Sequence, residues 1–325
     1  MRWGDGLGPM TDDGYLIELA APDLAAYAAG NTGVPYVTTF DSGRPGPHVL
    51  VNALTHGNEI CGAIALDRLF RDGVRPVAGR LTLSFANVAA YRRFDPASPT
   101  ASRFVDEDFN RLWDAATLDG PRRSAELERA RALRPLVASA DLLLDLHSMQ
   151  HAAAPLMLAG LTDKSLALAR RVGVPAVIVR DAGHAAGRRM RDYAAFDDPA
   201  SPKAALLVEC GQHWEKAAAA VAIETTLRFL AACGVLSPAA AARILAAPAP
   251  PQRVVAVTEA VTIESDRFAF AADYRGLEVI ARAGTVIASD DGREIRTPYD
   301  ECVLIMPSRR LLRGQTAVRL GRFAG

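Results

Sequence analysis

The sequence predicts an α/β protein: a mixed sheet flanked by helices, followed by a smaller C-terminal all-β domain. Three observations carry that expectation. From residue 48 to about 234, apolar runs of strand length alternate with longer segments of helical period, as strands sandwiched between helices require. The stretch PAPPQ at 248–252 then breaks the pattern, because clustered prolines continue neither a helix nor a central strand. Beyond it lie only short β-like runs separated by Gly or Asp turns.

Taken in order, His48–Leu54 (HVLVNAL) reads as a buried strand and Glu59–Phe70 as a helix. Arg80–Asn87 is a second strand, and Ser124–Ala138, with Glu and Arg among Leu and Val, is an amphipathic helix. Asp141–Leu146 (DLLLDL) is dense enough in apolar residues to be a central strand. Strands at Pro155–Leu158, Ala176–Arg180 and Ala204–Glu209 follow, with helices at Lys164–Arg171 and Trp214–Ala232. One short helix is expected after Ser237, and the domain boundary is set at the proline cluster. Residues 1–247 form the catalytic domain and 248–325 a β domain, with a small barrel as its expected closure.

With 325 residues the chain exceeds what one compact core usually covers, which favours two domains. Lys plus Arg and Asp plus Glu both number 37, for a net charge of zero. No basic excess points to nucleic acid or an anionic membrane, so the expected partner is a small molecule or peptide. The N-terminus lacks the apolar core of a secretory signal, and no stretch reaches the roughly 18 apolar residues of a membrane span. Cys61, Cys210, Cys233 and Cys302 show no framework spacing. They are expected to be buried, reduced thiols in a cytoplasmic protein.

The chemistry concentrates at strand ends. His56-Gly-Asn-Glu59 follows the first buried strand, and an imidazole and a carboxylate three residues apart can converge on a metal ion. A Glu59 that merely caps the next helix is an equal reading. His147, directly after DLLLDL, shifts the balance, since open α/β sheets build sites at the carboxyl ends of strands. Two His and one Glu form the ligand set that leaves zinc a position for water. Asp145 either orients the His147 imidazole or caps the strand. Glu209 ends another apolar strand, where a carboxylate needs a metal, a general-base role or an arginine. A structural salt bridge is the plainer alternative. Arg103, Asn110 and Arg111 have the chemistry to stabilise an oxyanion and to hold an anionic substrate, although on spacing alone they read as surface charges. His48 reads as structural; His151 and His184 lie in loops, with His184 a candidate to line a pocket, and His213, four residues after Glu209, is a candidate to sit near the site.

Together these residues resemble the succinylglutamate desuccinylase/aspartoacylase family, relatives of the zinc carboxypeptidases. The matching pieces, in order, are HGNE at 56–59, Asn87 to Arg111 ending RFVDEDFNR, DLH at 145–147 and VECG at 208–211. GTVIASDDG and PYDECVLIMP extend the likeness into the β domain. The resemblance implies a zinc-carboxypeptidase-like sheet and one zinc ion per chain on His56, Glu59 and His147. It further implies a Glu209 that deprotonates the metal-bound water and an Arg103 that polarises the scissile carbonyl. Asn110 and Arg111 would hold a substrate carboxylate, and the reaction would be hydrolysis of an N-acyl amino acid or similar anionic amide. Two family features lack a matched position. For the additional substrate-binding arginine, Arg188, Arg189 and Arg191 lie nearby at a longer spacing from Glu209; for a C-terminal tyrosine, Tyr274 and Tyr299 are candidates.

A carboxypeptidase acting on peptides is the alternative within hydrolases. A carrier role for the C-terminal domain would need a lysine at a hairpin tip, and the chain's lysines, Lys164, Lys203 and Lys216, all precede that domain. The β domain is expected instead to shape the pocket or to form a subunit contact in a homo-oligomer.

Overall fold

The computed structural model describes residues 10–11, 14–183 and 186–324; His184 lies outside them. The strands are β1 (Val37–Asp41), β2 (His48–Ala53), β3 (Arg80–Phe85), β4 (Leu142–Met149), β5 (Leu156–Leu158), β6 (Val177–Arg180) and β7 (Ala204–Gln212), then β8 (Arg253–Thr262), β9 (Ala269–Phe270), β10 (Val279–Ile280), β11 (Val286–Asp290), β12 (Arg293–Arg296), β13 (Cys302–Ile305) and β14 (Thr316–Ala324). The helices are α1 (Ile60–Arg71), α2 (Val88–Tyr91), α3 (Ala115–Asp119), α4 (Ala125–Ser139), α5 (Asp163–Val172), α6 (Lys216–Ala232) and α7 (Pro238–Leu245).

One sheet of 11 strands runs β1-β3-β2-β4-β7-β5-β6-β8-β14-β13-β10. Its centre, β3-β2-β4-β7, is parallel, so the carboxyl ends of β2, β4 and β7 share one edge. All residues of β2 and β7 are buried, as strands covered on both faces must be. A large apolar core packs α1, α5 and α6 against one face. Leu127, Ala130, Leu133 and Val137 of α4 pack against Leu50, Leu143 and Ala205 on the other.

β1 was not foreseen. It pairs antiparallel with β3 at the edge, and its half-exposed VTTFD offers no dense apolar run. The C-terminal strands do not close on themselves as a barrel. β8 pairs in parallel with β6 and antiparallel with β14, which extends the main sheet, while β9, β11 and β12 form a separate three-stranded sheet. A small core containing Ile263, Phe268, Ile287, Leu304 and Val318 lies in this region.

Candidate metal centre

β2 ends at Ala53, and Leu54 then takes φ +61°, a left-handed turn unusual for a branched side chain. That turn leads directly into His56 and Glu59. Gly57 serves closeness rather than turning, since its φ is not positive. A Cβ there would stand 2.4 Å from the Tyr91 nitrogen and from the Ser102 oxygen, and the Gly57 N–H donates to the Arg103 carbonyl (3.0 Å). The glycine therefore lets the loop carrying Arg103 lie against the HGNE segment.

His147 lies within β4, opposite Glu209 on β7. Sequence patterning ended β7 at Glu209, yet the strand continues to Gln212 through an irregular register. Gly211 at φ +117° permits that irregularity, as L side chains rarely adopt such a backbone.

The His56, Glu59 and His147 side chains each offer one ligand atom, all within 4.8 Å of one another and all buried. His56 Nδ1 is 2.7 Å from Glu59 Oε1, and His147 Nδ1 is 2.9 Å from Glu59 Oε2. The opposite ring nitrogens face carboxylates: His56 Nε2 is 2.9 Å from Asp108 Oδ1, and His147 Nε2 is 2.8 Å from Asp145 Oδ2. A proton on His147 Nε2 donates to Asp145 and leaves the Nδ1 lone pair turned inward, the arrangement metal-binding histidines use, while His56 Nε2 also lies 2.9 Å from Arg103 Nη2. Asp145 is held in turn, accepting from Asn52 Nδ2 and Thr55 Oγ1 at 2.8 Å each. These donors fit a divalent ion.

Burial pushes the Glu59 carboxyl up, but the charges and hydrogen bonds of His56 and His147 override it and hold the group well below its usual range. Burial lowers the His147 imidazole, and Asp145 and Glu59 more than reverse that, raising it well above the ordinary value. Protons therefore compete with a cation for the space among these residues. Burial, reinforced by Glu59 and opposed by His147 and Arg103, raises Glu209 to about 8. Among the described residues its buried Oε2 has no hydrogen-bond partner. An orphaned carboxylate oxygen is costly unless something else completes it.

Arg103 lies 3.1 Å from Asp108 Oδ2 and 3.3 Å from Glu59 Oε1. Asn110 Oδ1 accepts from the Met190 N–H (3.0 Å), and Arg111 Nη1 donates to the Asn110 carbonyl (2.8 Å). All the residues singled out from the sequence for metal, catalysis and substrate line one cavity of about 420 Å³.

Sequence reasoning missed several partners. RFVDEDFNR holds three adjacent acids with three different jobs. Asp106 accepts from Ala125 N–H at the start of α4, Glu107 pairs with Ser124 and Arg122, and Asp108 reaches His56. Glu126, fully buried, accepts from the N–H groups of Val105, Asp106 and Glu107, and so pins that loop. His213 does line the cavity, 2.8 Å from Ser148 Oγ, and burial pushes it down to about 3. The unmatched arginine and tyrosine resolve differently. Of the three arginines only Arg189 lines the cavity, gripping Asp181 at 2.8 and 2.9 Å; neither Tyr274 nor Tyr299 does. The C-terminal strands and loops contribute arginines instead: Arg275, Arg309, Arg310 and Arg319. His48 is structural, bonded to Thr82 Oγ1 at 2.7 Å.

Residues 45–233, more than half of the chain, match the succinylglutamate desuccinylase/aspartoacylase catalytic domain. The chain belongs to this family. Its members are enzymes, deacylases that hydrolyse amide bonds. Solved structures share the fold at low identity. A succinylglutamate desuccinylase from Vibrio parahaemolyticus is 17% identical with TM-score 0.66, over 86% of this chain and 82% of that one. The enzyme of that name from Chromobacterium violaceum is 19% identical with TM-score 0.64, over 90% and 89%. A product-bound ectoine utilization protein from Ruegeria pomeroyi is 18% identical with TM-score 0.60, over 97% and 93%. No curated protein matches the chain in sequence. Among the described residues no helix is long and apolar enough to cross a membrane, and all four cysteines are free and buried.

Proposed function

We propose that the chain is a zinc-dependent deacylase that hydrolyses the amide bond of an N-acyl amino acid or a related small carboxylate-bearing amide. One observation carries the reading: the buried His56, Glu59 and His147 donors converge beside a Glu209 whose buried Oε2 has no hydrogen-bond partner among the described residues. His56, Glu59 and His147 would hold one ion per chain, and a His2Glu set suits zinc. When bound, zinc supplies a Lewis acid for the amide carbonyl and acidity for water.

The chain's own groups do the rest. Glu209, ionised, takes the proton of the attacking water and returns it to the leaving amine nitrogen. Arg103 stands by the carbonyl oxygen and stabilises the charge that develops there. Asn110 and Arg111 hold the substrate carboxylate and orient the amide. The small cavity, walled on one side by Met306–Arg310, disfavours a long peptide and so the carboxypeptidase alternative. We also read residues 1–247 as the catalytic unit and 248–325 as an accessory β unit, in a cytoplasmic enzyme.

Metal analysis of the purified protein, with amine release measured across N-acyl amino acids and peptides, tests this. His147→Ala should lose metal and activity. Glu209→Gln should keep metal and lose about 10²–10⁴ in kcat. Wild-type turnover by Glu209→Gln would overturn the mechanism, and cleavage of peptides alone would overturn the substrate class.

A further inference from the structure

His213 and Ser148 form a buried pair on the cavity wall, outside the set that would hold the ion and carry the reaction. Ser148 directly follows His147 on β4, and its N–H donates to Glu59 Oε2 (3.2 Å). Its Oγ lies 2.8 Å from His213 Nδ1. His213 stands just past the end of β7, and its N–H donates to the Met149 carbonyl (2.9 Å). It is thus tied to β4 twice, by its ring and by its backbone. Ser148 and His213 both line the cavity, at 4% and 3% exposure.

The pair fixes the tautomer of the imidazole. Among the described residues nothing else accepts the Ser148 hydroxyl proton, so Oγ–H donates to Nδ1 and the ring proton sits on Nε2. Nε2 itself bonds to none of the described residues. The structural His48 differs, being bonded at both ring nitrogens, to Thr82 Oγ1 (2.7 Å) and to Ser139 Oγ (3.3 Å). A ring N–H that lines a cavity and lacks a protein acceptor is available to whatever fills that cavity. Burial, opposed by Glu59 and helped by Arg103, His56 and Arg310, lowers the His213 imidazole to about 3, so it stays neutral. A neutral imidazole can polarise a carbonyl and keep its own proton.

We propose that His213 is a further catalytic residue, whose Nε2–H donates a hydrogen bond to the scissile carbonyl oxygen as charge develops there, with Ser148 as the positioning residue that aims it. This rests on the deacylase reading. As the water oxygen bonds to the carbonyl carbon, the C=O π pair passes to the carbonyl oxygen and the water proton passes to Glu209. His213 keeps its proton throughout and works beside the cationic Arg103 as an uncharged donor.

The test compares metal-loaded wild type, His213→Phe, His213→Gln, Ser148→Ala and Ser148→Thr on the N-acyl amino acid that wild type cleaves fastest. His213→Phe should lose about 100-fold in kcat, with KM and metal content unchanged. The loss should be constant from about pH 6 to about 9, because a donor that does not titrate there moves neither limb of the profile. His213→Gln, which keeps an N–H, should recover about tenfold of it. Ser148→Ala should lose about tenfold, and nothing further once His213→Phe is present, whereas Ser148→Thr keeps the hydroxyl and the rate. A loss confined to KM, a loss of metal, or a wild-type kcat in His213→Phe would overturn the proposal. Should His213→Phe not fold, Ser148→Ala against Ser148→Thr decides it: equal rates overturn the proposal. Calorimetric titration of the metal-loaded proteins with methylphosphonate, a tetrahedral oxyanion, reads the donor without turnover. Binding about tenfold weaker in His213→Phe than in wild type supports it, and equal binding overturns it. If wild type cleaves no N-acyl amino acid, the deacylase reading fails instead, and this titration alone decides on the His213 donor.

Discussion

The two walls of the cavity are built on different terms. On the side of β2, β4 and β7, each group is set by strand register and buried partners. His147 faces Glu209 across a parallel pair, and Asp145 accepts from Asn52 and Thr55 while facing His147. On the C-terminal side, Arg309 and Arg310 extend from the irregular stretch after β13, and the Arg309 side chain is 45% exposed. Atoms that must meet within a few tenths of an ångström lie where backbone hydrogen bonds fix them. The arginines of the C-terminal wall lie where long side chains can adapt, apart from Arg319, which is buried within β14.

The comparison breaks first, and with the largest effect, at Asp145. Asp145→Ala removes the acceptor of three buried donors, so metal affinity should fall about 10–100-fold and stability by about 3 kcal/mol or more. Competitive metal titration and urea unfolding measure both, and wild-type affinity would show that the His147 imidazole is held some other way. Asp108→Asn should fall at the mild end of that range, because the Asp108 side chain is 23% exposed.

His213 gives an intermediate effect that depends on pH. Burial pushes its folded-state pKa down to about 3, below the unfolded value of about 6.5. Its stability contribution is therefore complete above that unfolded pKa and is lost as pH falls towards the folded one. The slope reaches about 1.4 kcal/mol per pH unit. His213→Gln should flatten the decline, with a difference of about 2 kcal/mol between pH 7.5 and 5. Parallel stability curves for the two proteins would remove His213 from the acid response.

The smallest effect belongs to the adaptable wall. Arg309 meets Asp273 in a half-exposed pair and also reaches the buried His151; with its own side chain half-exposed, Arg309→Ala should cost about 0.5 kcal/mol or less in stability and change KM by about threefold at most. A tenfold or larger rise in KM would show that this wall is held as firmly as the metal side.

Legibility followed the same division. His56, His147 and Glu209 could be picked out because each follows or ends an apolar run, and such runs become the buried centre of a sheet; Glu59 was found through its spacing from His56. Among Asp106, Glu107 and Asp108 the chain offered three equivalent carboxylates within one polar loop, and only the path of that loop, pinned by Glu126, brings Asp108 to His56. β1 escaped notice because an edge strand needs only one apolar face. The proline cluster marked a break in composition correctly, yet it could not reveal that β8 would return to pair with β6, since strand pairing across 70 or more residues leaves no local pattern.

The sequence by itself determined the alternation of strands and helices, the grouping of His56, Glu59 and His147 with a neighbouring glutamate, and the family likeness. These rest on hydrophobic periodicity and on residues whose chemistry is narrow. Only the tertiary structure decided which carboxylates steady the two imidazoles and that the C-terminal strands extend the catalytic sheet. It also decided that Arg319, one of many arginines along the chain, reaches the cavity. A charged residue's role depends on its counter-charges and its exposure, and both are set by segments far away in the chain.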